Sequence, residues 1–214
     1  MVVSERMSKH VATVTPENSV ATAFKVLKER RHSQLPVIDD KGKLVGLVTE
    51  KLLTEVSPSK ATSLSVYELN YLLSKTKVSY IMKTDIFTTT PDTIIEEAAL
   101  IMKTNDIGSL PVVDEGNILV GIVTRLDIFS AFIDIMGVNE KGTRIVITVD
   151  DKMGTLADIS QIIKQFGVNI THISNYKSND DTEILLKINT TEVEDLISAL
   201  EKNNYKILSL TKMP

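Results

Sequence analysis

The residues best suited to chemistry lie in Gly121-Ile-Val-Thr124-Arg-Leu-Asp127, where a run of β-branched residues gives way to a helical pattern. Gly121 removes a side chain where another group can approach a strand closely. Thr124 offers a hydroxyl at the helix start, and Asp127, three residues on, falls on the same side of the first turn. A carboxylate accepts two hydrogen bonds at once, which fits the paired hydroxyls of a ribose, and the unpaired N–H groups of a helix start fit a phosphate. A plainer reading is also open. Thr124 caps the helix and Asp127 favours its first turn through the helix dipole, with no ligand involved.

Nearly the same segment occurs earlier in the chain. LPVIDDKGKLVGLVTEKLL runs from Leu35 to Leu53 and LPVVDEGNILVGIVTRLDI from Leu110 to Ile128. Pro16 and Pro91, Pro36 and Pro111, Gly46 and Gly121, and Thr49 and Thr124 are all 75 residues apart, with no gap. A single long offset describes two small units packed on each other, not a solenoid. Each unit reads as β-α-β-β-α. A short strand at Ala12 to Thr15, or Phe87 to Thr90, ends at Thr-Pro. A helix follows over Ser19 to Arg30, or Thr93 to Asn105, with Asn18 or Asp92 as its cap, and then a hairpin and a second helix. The copies part at one place: the counterpart of Asp127 is Leu52, which accepts no hydrogen bond. Around Thr49 the first copy keeps Arg30, Arg31, His32 and Lys51, which could face a phosphate or merely decorate a solvated helix end.

Between the copies, Ser57 to Ser65 has the composition of a connector, and Val66 to Ser74 has helical apolar spacing. Gly137 to Thr143 has the small and polar content of a hinge. The remainder reads β-α-β-β-α-β, the ferredoxin-like order with both helices on one face of an antiparallel sheet. Its first loop, Asp150-Asp-Lys-Met-Gly154-Thr-Leu-Ala, joins strand to helix. The free N–H groups after Gly154 could hold a carboxylate, or the loop could be an ordinary turn.

Composition narrows the function. With 43% hydrophobic residues, 24% charged residues and a net charge of -4 over 214 residues, the chain can build a real core and carries no basic tract for nucleic acid. No apolar run is long enough to cross a bilayer and the N-terminal stretch lacks the apolar core of a secretory signal, so a cytoplasmic location is expected. Zero cysteines and three scattered histidines argue against a structural metal. Gly-x-Ser-x-Gly, His-Glu-x-x-His and Gly-x-x-x-x-Gly-Lys are all missing, which argues against an enzyme.

The duplicated Thr-Pro, Leu-Pro-Val-hydrophobic-Asp and Gly-x-x-Thr elements resemble the tandem CBS pair, or Bateman module, over about Met7 to Ile135. Asp150 to Leu156 with Phe166 to Ile170, set in the β-α-β-β-α-β order, resemble an ACT domain over about Arg144 to Leu210. Together with VYELNYLLS the whole resembles the acetoin-utilisation B-type family. The resemblance implies a fold of class α/β and α+β, a CBS pair followed by a ferredoxin-like ACT domain. Its expected bounds are a first repeat at 7–56, a connector with helix at 57–77, a second repeat at 78–136, a hinge at 137–143 and the ACT domain at 144–212.

The resemblance also implies a regulatory ligand of the AMP, ADP or ATP class and no cofactor. It carries ribose binding onto Thr124 and Asp127, base contacts onto Ile107, Gly108, Ser109, Leu110 and Pro111, and a first-strand contact onto Thr88 to Thr90. Thr49, Lys51, His32, Arg31 and Arg30 would form a weakened or repurposed second site for a nucleotide or a phosphate. For the ACT domain it implies an amino acid between protomers, at Asp150, Met153, Gly154, Thr155, Leu156, Asn169 and Ile170. The expected protein is a homodimeric, non-enzymatic sensor acting on an unidentified regulated protein, without direct contact to nucleic acid or membrane. The alternative is a ligand-free adaptor or a regulatory subunit of an enzyme or transcription factor.

Overall fold

The computed structural model describes residues 1–30, 33–55, 66–178 and 181–213. The chain divides into two compact units, Met1–Ile128 and Phe129–Pro214. Arg31, His32 and the connector Ser57 to Ser65 lie outside the described residues, as does the side chain of Arg30.

The 75-residue offset runs through the first unit. Helix α1 (Val20–Arg30), hairpin β1 (Gln34–Ile38) and β2 (Leu44–Thr49), and helix α2 (Glu50–Glu55) form the first copy, and α3 (Val66–Lys75) follows. The second copy has α4 (Ile95–Thr104), β3 (Ser109–Val113), β4 (Leu119–Thr124) and α5 (Arg125–Ile135), whose C-terminal part lies in the second unit. Even the bulges correspond, at Val37/Ile38 and Val112/Val113. Helical spacing turns Val20, Ala23 and Leu27, and likewise Ile95, Ala98 and Met102, inward. Each fully buried aliphatic side chain contributes about 1.5–3 kcal/mol.

Two local expectations are corrected. The strands before Thr-Pro shrink to single parallel bridges, Val14 to Val37 and Thr89 to Val112, because proline ends the ladder by removing a donor. The helix caps also shift. Asn18 Oδ1 accepts from the Thr15 N–H at 2.8 Å and so closes the turn, while Ser19 Oγ accepts from the Thr22 N–H at 3.1 Å and caps α1. In the second copy the cap position is Ile94 rather than Asp92, with no side-chain cap, and the Thr90 and Thr93 hydroxyls bond each other at 2.9 Å.

The copies are interlaced by their lead-in segments. Ser8, ahead of the first copy, exchanges backbone hydrogen bonds with Ile122 of the second at 2.9 and 3.0 Å. Lys83, ahead of the second copy, does the same with Leu47 of the first, both at 2.9 Å. Glycine permits these crossings. A Cβ at Gly121 would lie 2.5 Å from Met7 Sδ, and one at Gly46 would lie 2.5 Å from Met82 Sδ.

The second unit is a four-stranded antiparallel sheet in the order β6-β7-β5-β8, where β5 is Gly142–Val149, β6 Ile170–Ser178, β7 Asp181–Ile188 and β8 Lys206–Met213. Helices α6 (Thr155–Gln165) and α7 (Glu194–Lys202) cover one face. Ile145, Ile147, Ile184 and Leu186 of the sheet pack there against Ile159, Ile163, Leu196 and Leu200 of the helices. The other face carries Arg144, Lys187 and His172 in register on neighbouring strands. Lys187 is 1% exposed, and its ammonium donates to the carbonyls of Gly137 and Glu140 and meets Met213 Sδ at 3.1 Å. The stretch expected as a hinge is therefore corrected in part: Gly142 and Thr143 begin β5, and Gly137 and Glu140 are held by a buried lysine.

Candidate functional site

Thr124 ends β4 and stands immediately before α5, so its backbone N–H and hydroxyl both face the first helical turn. Both donate to Asp127 Oδ2, at 2.8 and 2.7 Å, and the Asp127 N–H donates to Thr124 Oγ1 at 3.3 Å. This is a reciprocal helix cap. It occupies one carboxylate oxygen, while Oδ1 has no hydrogen-bond partner among the described residues. Asp127 itself lines neither the cavity beside Thr124 nor its counterpart in the first copy, so it stands behind Thr124 with one oxygen still able to accept a hydrogen bond. In the first copy the Leu52 N–H donates to Thr49 Oγ1 at 3.2 Å, which reproduces the cap without a carboxylate.

Thr124 lines a cavity of about 360 Å³, within the range that holds small ligands. The second copy supplies Gly108, Ser109, Ile122, Arg125 and Leu126, and the first supplies Ser33 and Gln34. The floor comes from Ser8 and His10 to Ala12, the lead-in of the first copy. A larger cavity of about 920 Å³ is its counterpart at the 75-residue offset, with Thr49 and Lys51 where the smaller has Thr124 and Leu126, and Lys83 and Asp85 where it has Ser8 and His10. Ser33, Gln34, Gly108 and Ser109 belong to both. Ser109 is 3% exposed and its hydroxyl has no hydrogen-bond partner among the described residues, a state that costs about 1–3 kcal/mol.

Of the residues expected to contact a base, Gly108 and Ser109 line both cavities and Ile107 only the larger, while Leu110 and Pro111 are buried in β3 and line neither. Thr88 and Thr90 line neither as well, and Thr89 is buried against β3. The lead-in of the second copy serves the first copy's cavity instead, through Met82 to Phe87. The reason is the interlacing: a lead-in crosses to the other copy's hairpin. Ser33 and Gln34 are the offset counterparts of Gly108 and Ser109, whereas Ser8, His10 and Arg125 are not among the expected contacts. The offset could have found Ser8 to Ala12 as the counterparts of Lys83 to Phe87, but not the side they face.

Charge separates the two cavities. Among the described residues, Arg125 is the one lysine or arginine lining the smaller, whereas the larger sets Glu50, Asp85 and Asp106 against Lys51 and Lys83. Arg125 Nε donates to the Ile107 carbonyl at 3.0 Å and Nη2 to Asp106 Oδ1 at 2.9 Å.

In the second unit, Asp150, Met153, Gly154, Thr155 and Leu156 form one turn at the start of α6, with Gly154 as its cap residue at φ 91°. The Lys152 ammonium, 2.6 Å away, holds the Asp150 carboxyl below its usual range, and Thr155 Oγ1 donates to the Lys152 carbonyl at 3.0 Å. Met153 and Leu156 are exposed. Asn169 and Ile170 are not brought to this turn within one chain. Ile170 pairs with Ile188, which also pairs with Thr143 at the start of β5, whereas the turn follows Val149 at its far end. At about 3.3 Å per residue the two sets are separated by roughly 20 Å of strand.

Among the described residues no group of three or more His, Cys, Asp and Glu could hold a metal ion, and no helix is long and apolar enough to cross a membrane.

Among known proteins, the chain is 36% identical over 134 residues to an uncharacterized protein of Methanocaldococcus jannaschii, an overlap of 62% of this chain and 44% of that protein. It is 38% identical over 126 residues to a homoserine O-acetyltransferase of Methanococcoides burtonii, covering 59% of this chain and 23% of the enzyme. The chain thus spans less than half the length of either relative. Among solved structures, CBSX2, a CBS-pair protein of Arabidopsis thaliana, was crystallised in complex with AMP. That complex matches at a TM-score of 0.53 and 31% identity, over 63% of this chain and 97% of the other. A Vibrio cholerae protein named for acetoin utilization, AcuB, matches at 0.54 and 25%, over 65% and 95%. The CBS domain profile fits residues 3–58 and 78–134, and the ACT domain profile residues 143–204. The chain belongs to the CBS-domain proteins, as a tandem CBS pair followed by a C-terminal ACT domain.

Proposed function

We propose that the protein is a non-enzymatic regulatory sensor whose smaller cavity binds an adenosine nucleotide of the AMP, ADP or ATP class. The carrying observation is the Thr124–Asp127 pair at the edge of that cavity: Thr124 lines it, and Asp127, immediately behind, caps α5 through one carboxylate oxygen and keeps the other as an acceptor for ribose hydroxyls. The unpartnered Ser109 hydroxyl and the AMP complex of the similar CBSX2 support the reading. Binding regulates only if the ligand favours one conformation over another, since equal affinity for two states shifts neither. Calorimetric titration of the whole chain with AMP, ADP and ATP tests it: one dominant saturable site per chain is expected, and no saturable heat with any of the three would refute it.

The ACT unit adds an amino acid to this reading. The Gly154 turn and the Asn169–Ile170 segment lie at opposite ends of one sheet, so a ligand touching both requires a second copy to bring its own Asn169 to the turn. Edge strands β6 and β8 expose Ile173, Tyr176, Leu208 and Leu210, apolar surface that a second copy would cover. Thermal-shift screening against the twenty amino acids tests this part, and a flat profile would remove it.

A further inference from the structure

We infer that Arg125 reads the phosphate of the ligand in the smaller cavity, and that Asp106 competes with that phosphate for the guanidinium. The inference rests on the nucleotide reading above. Among the described residues, a phosphate entering this cavity meets one lysine or arginine along its wall, Arg125. That residue is the first of α5, and its backbone N–H donates to the Gly108 carbonyl at 3.0 Å, so only the side chain is free to turn.

The guanidinium is engaged elsewhere, on the turn at 106–107. That engagement is weak. The side chains of Arg125 and Asp106 are 49% and 96% exposed, and the carboxylate contact is a single hydrogen bond in high dielectric. A phosphate offers paired oxygens matched to the guanidinium fork and forms the stronger, bidentate contact. It therefore draws Arg125 away and leaves Asp106 and the Ile107 carbonyl without their partner.

The sequence of the first copy sharpens the assignment. The positions matching Asp106 and Arg125 are Arg31 and Glu50, the same two charges exchanged. The larger cavity accordingly has a carboxylate, Glu50, where the smaller has a guanidinium. At this position a phosphate meets a guanidinium in the smaller cavity and a carboxylate in the larger.

AMP and adenosine, which differ by the phosphate alone, are the probes, titrated calorimetrically into the wild type, Arg125→Gln, Asp106→Asn and the double variant. Arg125→Gln is expected to weaken AMP by about tenfold or more while adenosine stays within about twofold. Asp106→Asn is expected to tighten AMP by about two- to fivefold, with adenosine unchanged and no effect in the Arg125→Gln background. A gain cannot come from misfolding. Equal losses for AMP and adenosine in Arg125→Gln would make Arg125 a structural clasp and overturn the inference, as would unchanged or weaker AMP binding in Asp106→Asn. Wild-type protein that binds both probes equally overturns this inference alone, whereas binding of neither overturns the nucleotide reading with it.

Discussion

Asparagine at position 127 separates the two duties of Asp127. The Thr124 N–H and hydroxyl need one acceptor oxygen, which asparagine retains, so Asp127→Asn should lower stability by less than about 1 kcal/mol. The other oxygen, free of partners among the described residues, becomes an NH2 group that cannot accept a ribose hydroxyl. Loss of a charge-assisted hydrogen bond is worth about 1.5–3 kcal/mol, or roughly ten- to a hundredfold in Kd. Asp127→Ala should lose the same affinity and, in addition, about 1 kcal/mol of stability with the cap. Calorimetry with AMP measures the first effect and urea unfolding followed by circular dichroism the second. A folded Asp127→Asn protein whose Kd stays within about twofold of wild type would show that the carboxylate is a helix cap and nothing more.

Leu52→Asp should raise the AMP stoichiometry toward two per chain, since Thr49 already provides the cap geometry; a stoichiometry that stays at one speaks against the offset as a guide to chemistry. Lys187→Met should destabilise the second unit by about 2–3 kcal/mol by leaving the Gly137 and Glu140 carbonyls unpaired, and a loss below about 1 kcal/mol in urea unfolding would contradict that role. Lys212 and backbone N–H groups at the start of α7 hold the Glu194 carboxyl down to about 2 from its ordinary 4.5. Its contribution is thus complete above pH 4.5 and is lost as pH falls toward about 2, so Glu194→Gln should flatten the acid side of the stability profile, and an unaltered profile would count against it. Light scattering should report a homodimer, and a monomer at micromolar concentration would contradict the expected pairing of sheet edges.

The hairpins were legible because both copies spell the same alternation and the same turns, and their register agrees to the residue, Leu35 with Val48 and Leu110 with Val123. The ferredoxin-like order was legible for a similar reason, since each helix buries an apolar stripe of regular spacing. The crossing of the lead-ins was not. A repeat tells which residues are equivalent, not whether a segment docks on its own copy or the other, and Thr88 to Thr90 were therefore carried to a cavity that they do not line. The burial of Lys187 was equally hidden, because the carbonyls that satisfy it lie 50 and 47 residues away in sequence. The helix caps slipped by one or two residues because Asn18 found a nearer donor in the turn.

The crossing has a consequence for descent. A lone repeat of this kind could cover its hairpin only with the lead-in of an identical molecule, as two chains related by a two-fold axis, and such a pair must carry two identical cavities. Joining the halves in one polypeptide lifts that identity. Each position in the pair can then change on one side only, and Leu52 against Asp127, with Glu50 against Arg125, are changes of that sort. The tether thus lets the two cavities differ in the residues that line them, as two identical chains could not.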